Sequence, residues 1–181
     1  MRPYLVYKFI LMLVLSATNY LPVVLGQNLS NLDTKYGINQ FKLESSFSKY
    51  QSQLKFQTED NGVKFYSCKN VSSIRIFEEE VSDVTLGFYK NKLYTISVYL
   101  WTLLPERQMK VLSKLENLFG NAALGNDRST SYKLEWAYVW QTPKTYLAYV
   151  KHPCNSKIKP CFANIYIISR KMETEIASDQ F

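Results

Sequence analysis

The only histidine of the chain, His152, lies beside Pro153 and Cys154, and Cys161 follows a short way on. A Ser-His-Asp or Cys-His nucleophilic site would have to use His152 as its base. Cys154 and Cys161 bracket Asn-Ser-Lys-Ile-Lys-Pro between two strand-like runs. In an exported chain that reads as a disulfide clamping a hairpin loop. A bonded Cys154 has no thiolate to offer, so His152 is expected to be incidental. Cys68 is then the odd thiol. Three Cys and one His match the number of ligands zinc takes but lack paired spacing, and no metal site is expected. Glu78-Glu79-Glu80 is the dense charge run of the chain. Adjacent glutamates seldom converge on one point, so a solvated loop is expected there. None of the 6 Gly is spaced for a phosphate loop, and no cofactor is implied. Carboxylate-pair hydrolysis can recruit acids from anywhere in a fold, and no spacing here singles out a pair.

The compartment is easier to read. Residues 1–26 have the order of a secretory signal: Arg2 and Lys8, then apolar Phe9 to Ala17, then Val24-Leu25-Gly26 ending in a small residue. Cleavage is expected before Gln27. Thr18, Asn19 and Pro22 interrupt the apolar run well short of the ~20 residues a membrane span needs. No transmembrane span is expected after cleavage, and the mature chain is expected in the periplasm or outside the cell. The full chain has 22 Lys and Arg against 15 Asp and Glu; without Arg2 and Lys8 that is 20 against 15, a net charge of +5. The lysines are scattered rather than clustered, so no nucleic-acid partner is expected.

The elements follow from periodicity. Residues 27–36 read as a flexible lead, residues 37–170 as one domain, and residues 171–181 as a polar, frayed tail. Phe47, Tyr50 and Leu54 behind Ser45-Ser46 predict a short amphipathic helix. Val84 to Trp101 is a hairpin around Tyr89-Lys90-Asn91. A three-residue loop would set Leu86 opposite Tyr94 and Val84 opposite Ile96, with Asn91 at positive φ. A two-residue turn would set Leu86 opposite Thr95 and split the apolar sets between the faces. Pro105 and Glu106 open a second helix whose stripe is Gln108, Val111, Leu112, Leu115, Leu118 and Phe119, ended by Gly120. A turn at Thr142-Pro143-Lys144-Thr145 pairs Trp140 with Leu147 and Tyr138 with Tyr149. The fold class is α+β: an antiparallel sheet with two amphipathic helices packed on one face. Helix followed by strands occurs twice, over residues 45–101 and 105–169, the order expected of a duplicated unit.

Four motifs, Gly-Ile-Asn-Gln-Phe-Lys-Leu, Ser-Phe-Ser-Lys-Tyr, Leu-Gly-Phe-Tyr-Lys-Asn-Lys-Leu-Tyr-Thr-Ile and Leu-Phe-Gly, precede a Trp-containing hairpin. In this order the chain resembles a group of small exported proteins of Bacteroidota. The resemblance covers nearly the whole mature chain and implies export; its motifs are structural and carry no catalytic residues. The architecture is also similar to the helix-and-sheet modules of β-lactamase-inhibitor-like and outer-membrane-assembly lipoproteins.

Trp136, Tyr138, Trp140 and Tyr149 share one face of the second hairpin. Ala137, Val139, Ala148 and Val150 share the other, which is small enough to pack under helices. If that small face is the core, the aromatic one is left for contact. The expectation is therefore an exported, non-enzymatic binding module that engages a protein or envelope component through those aromatics. The alternative is a carboxylate-dependent hydrolase acting on cell-envelope polymers.

Overall fold

A computed structural model describes residues 26–125, 137–152 and 161–179. The residues expected to form a secretory signal, except Gly26, lie outside the described residues, as do Trp136 and Cys154. Among them, no helix is long and apolar enough to cross a membrane.

An eight-stranded antiparallel sheet carries the fold. In chain order the strands are β1 (Gly37–Ile38), β2 (Phe41–Lys42), β3 (Leu54–Asp60), β4 (Val63–Cys68), β5 (Arg75–Ile76), β6 (Glu79–Glu80), β7 (Asp83–Tyr89), β8 (Lys92–Leu103), β9 (Ala123–Gly125), β10 (Ala137–Gln141), β11 (Thr145–Lys151) and β12 (Cys161–Ser169). The main sheet runs β3-β4-β7-β8-β12-β11-β10-β9, while β1–β2 and β5–β6 are small separate hairpins. Each half is a meander, and their last strands, β8 and β12, pair at the centre, so the strand order is mirrored about that seam.

The helices are α1 (Gly26–Lys35), α2 (Pro105–Phe119) and α3 (Arg170–Asp179). The α2 helix forms as its sequence predicts. Pro105 stands in its first turn, Gly120 ends it at φ 84°, and Gln108, Val111, Leu112, Leu115 and Phe119 are buried. The other elements depart from expectation. Residues 47–53 are two 3-10 turns rather than an α-helix. The expected flexible lead is α1. Its Leu32 is buried in the main core, and Asp33 accepts hydrogen bonds from Thr142 and Thr145 across the sheet edge. The expected frayed tail is α3. Met172 and Ile176, one helical turn apart, press on Val63, Tyr89, Phe65 and Tyr94. Lys90 pairs with Glu175 at 3.1 Å and with Asp179 at 2.6 Å, and Tyr89 donates to Asp179. Helices this short take their stability from tertiary packing rather than propensity, and polar composition conceals that.

The central hairpin resolves its register in a way that neither simple loop allows. The turn is the two-residue one: Tyr89 pairs with Lys92, and Lys90 and Asn91 sit at φ 46° and 62°. An extra residue then enters β8 at Tyr94, a bulge between the Phe88–Leu93 and Gly87–Thr95 pairs. Leu86 therefore meets Ile96 and Val84 meets Val98, not Tyr94 and Ile96. The bulge restores one apolar face, which a two-residue turn alone would split. It also turns Tyr94 away from the core and puts Leu93 there instead. The positive φ at Asn91 agrees with expectation. In the second hairpin, Trp140 pairs with Leu147 and Tyr138 with Tyr149, as the turn at Pro143 predicts.

The Glu78-Glu79-Glu80 run is not a uniformly solvated loop. Phe77 and Glu78 turn the β5–β6 hairpin at positive φ. This leaves Glu79 only 3% exposed, held by two Arg107 hydrogen bonds at 3.1 and 3.0 Å. Glu78 faces Lys110 and Lys114, and Glu80 faces Arg75. The run clamps α2 to the rest of the fold.

Candidate functional site

Side chains alternate along each strand, so the sheet has two faces. The first carries Val84, Leu86, Ile96, Val98, Leu100, Ile165, Ile167, Leu147, Tyr149 and Trp140, all buried in one cluster. That cluster is completed by α2, by Leu32 of α1, by Phe41 and Leu43, and by Ile74 and Ile76.

Trp140 and Tyr149, of the aromatic row expected to face solvent, therefore belong to the core. Trp140 is 1% exposed, packs edge-on against Phe119 and donates its Nε1–H to the Gly120 carbonyl at 2.6 Å. Tyr149 is fully buried and donates to the Gln108 carbonyl at 3.0 Å. Burial pushes its phenol well above the ordinary value, with the Glu79 charge adding to the effect. Tyr138 is half-buried against the same cluster, under Lys151. The physical reason is volume. The space between α2 and the sheet needs large rings, and Ala137, Ala148 and Val150 could not fill it. Those three are buried too, but in a separate small cluster on the opposite face with Tyr166. Of the residues expected to form the site, the structure brings Tyr138, Trp140 and Tyr149 together, but inside the fold.

Among the described residues the second face is partly open: Ala148, Val150, Asn164 and Tyr166 on it are buried, whereas Phe65, Tyr94, Ser97 and Tyr146 are half-buried. A groove of about 820 Å³ crosses it, floored by Phe65, Thr95, Ser97, Val139, Tyr146, Tyr166 and Ile168 and walled by Tyr94, Arg170, Glu173 and Ile176. Asp60 and Asn61 close one end. Beside Phe65 it continues into a shallower depression formed with Ser67, Asp83 and Thr85. At the far end of β8 and β12, Trp101 is 60% exposed and Phe162 is 42% exposed. The His152 ring stacks on Phe162 at 3.9 Å, and burial holds its pKa below the ordinary imidazole value. The lone histidine thus serves a ring stack.

Three devices shape this face. Asn61 and Gly62, both at positive φ, make the tight β3–β4 turn that sets Asp60 at the groove's end. Gly87 pairs directly with Phe65, and a Cβ built on it would lie 2.9 Å from Phe65 Cε1 and 2.6 Å from Thr95 Cγ2. Only a glycine there leaves room for the ring to lie down on the sheet. The bulge in β8 delivers Tyr94 to the groove wall. Arg170 lines the groove but its guanidinium is engaged. Nη1 donates to the Thr142 carbonyl at 3.1 Å, and Gln141, with its amide oxygen turned toward Arg170, accepts at 2.8 Å.

Asp60 and Glu173 line the same groove, both exposed. No hydrogen bond among the described residues orients either carboxylate toward the other. Among those residues, no group of three or more His, Cys, Asp or Glu side chains could hold a metal ion. Cys68 is a free thiol, and burial pushes its pKa up to about 12, with Asp83 adding to the effect. It is thus a thiol rather than a nucleophilic thiolate.

Sequence reasoning missed this face because no single stretch carries it: its rings come from β4, β8, β11 and β12. The usable signal was the Leu93-Tyr94 pair, where either residue could be the inward one. No family model, curated protein or solved structure matches the chain, so its function rests on the geometry of its own side chains.

Proposed function

We propose that the mature chain is an exported, non-enzymatic interaction module that docks its partner on the second face of the sheet. One observation carries this: among the described residues, helices and hairpins seal the first face, while the second keeps a groove of about 820 Å³ with the half-exposed rings of Phe65 and Tyr94 along it. Rigid aromatic side chains in a concave surface supply contact area at low entropic cost. Export rests on the order of residues 1–26, and a Cys154–Cys161 bond clamping the β11–β12 connection is part of the same reading. The mirrored strand order supports descent from a duplicated strand meander, although the first unit opens on 3-10 turns rather than the expected helix. Among the described residues, the two exposed carboxylates of the groove are what favours the hydrolase alternative, and no hydrogen bond there orients them as an acid and base pair.

Ser97 lies on the groove floor, half-exposed, so Ser97→Trp should fill the groove without disturbing the core. Protein recovered from the periplasm or medium should have the intact mass of a chain beginning at Gln27. As bait against envelope extract, that protein should retain a partner which S97W loses. The unfolding midpoint of S97W should stay within about 3 °C of the parent. Equal retention by both baits would place the docking surface elsewhere.

A further inference from the structure

Resting on the reading of the second face as a docking surface, we propose that the Phe65 end of the groove receives a lysine or arginine side chain of a partner protein. The ring of Phe65 lies flat where Gly87 leaves room for it, between two depressions. Asp60 borders both of them, Asp83 borders one, and Glu173 borders the other. An aromatic face flanked on both sides by depressions that carboxylates border attracts a cation by its quadrupole and by charge together.

None of these three carboxylates has an ion-pair partner among the described residues, whereas Glu44, Glu79, Glu175 and Asp179 all do. Among the described residues, the only basic side chain lining either depression is Arg170, whose guanidinium is already bonded to Thr142 and Gln141. The acidic end is also local, since the whole chain carries a net charge of +7. Bulk electrostatics would therefore draw in anions, and only this end of the groove favours a cation. Two phenols of β8 sense these carboxylates, one at each depression. Burial pushes Tyr94 up to about 12 with Glu173 adding to the effect, and burial raises Tyr99 with help from Asp83. A bare metal ion does not fit, because no three such ligands converge among the described residues. The groove continues well past Phe65 toward Tyr146 and Tyr166, which gives a polypeptide carrying the cation further surface to lie on.

The test uses the full mature protein and two fluorescein-labelled hexapeptides, one alternating glycine with arginine and the other glycine with glutamate. Fluorescence anisotropy should report binding of the arginine peptide. Asp83→Asn and Glu173→Gln should each weaken it about threefold, and the two together about tenfold. The D83N side chain keeps an amide oxygen in place of the Asp83 oxygen that accepts the Val84 N–H at 2.8 Å, so the strand should stay intact. Glu59→Gln, beside Asp60 but on the opposite face, should change nothing. Preference for the glutamate peptide, arginine-peptide binding indifferent to D83N and E173Q, or no binding of the arginine peptide would overturn the assignment of a cation. The docking face itself is judged separately by S97W, a substitution that leaves every carboxylate in place.

Discussion

Trp140→Ala is expected to lower stability by about 4 kcal/mol, the range for removing a large buried ring. The indole is 1% exposed, lies edge-on to Phe119 with ring centroids 6.4 Å apart, and joins the sheet to the end of α2. Its loss opens a cavity and leaves the Gly120 carbonyl without the 2.6 Å bond from Nε1. For a chain of this size, the thermal midpoint should fall by about 12 °C. Trp140→Phe keeps most of the volume but not the donor, and should cost about half as much. Denaturant titration of the two variants decides the point. A loss below about 1 kcal/mol for W140A would mean the aromatic row is not the core and would restore it as a contact surface.

Arg107→Ala is the second large effect, expected at about 3 kcal/mol. It would strand the Glu79 carboxylate, 3% exposed, without the two bonds that compensate its burial. Only the Glu79 end of the pair is buried, so removing the half-exposed Arg107 alone is costlier than removing both, because the survivor is a desolvated charge. Glu79→Gln should therefore be milder than R107A, and the E79Q/R107A double variant should recover part of the R107A loss. Equilibrium unfolding of the three proteins gives the coupling. Additive losses would show that Glu79 and Arg107 act independently and that the β5–β6 hairpin does not clamp α2 through them.

Both effects arise from features that the sequence announces unevenly. The α2 stripe with Pro105 and Gly120 was legible, because a 3.6-residue period and two terminal signals agree there. So was the second hairpin, whose pairing follows from Pro143. The central hairpin was half legible. Its apolar alternation demanded one buried face, but a bulge meets that demand as well as a longer loop does, and a strand pattern does not distinguish the two. The α1 and α3 helices were hidden by polar composition. Each offers only two apolar residues to its neighbours, Leu29 and Leu32 or Met172 and Ile176, and is otherwise tied by side chains distant in sequence such as Asp33, Thr142, Lys90 and Asp179. The burial of Glu79 was invisible for the same reason, since Arg107 lies on another element. The candidate site was the least legible part. Both faces of the β10–β11 hairpin are buried, so choosing the outward one by side-chain size could not succeed.

Site-specific photo-crosslinking in the producing cell tests the docking surface most directly. A benzophenone side chain replaces Ser97 or Thr85 on the second face, or Lys64 or Glu116 on the opposite side. Partner adducts are predicted from positions 97 and 85 and none from 64 or 116. Adducts from 64 or 116, with none from 97 and 85, would contradict the account.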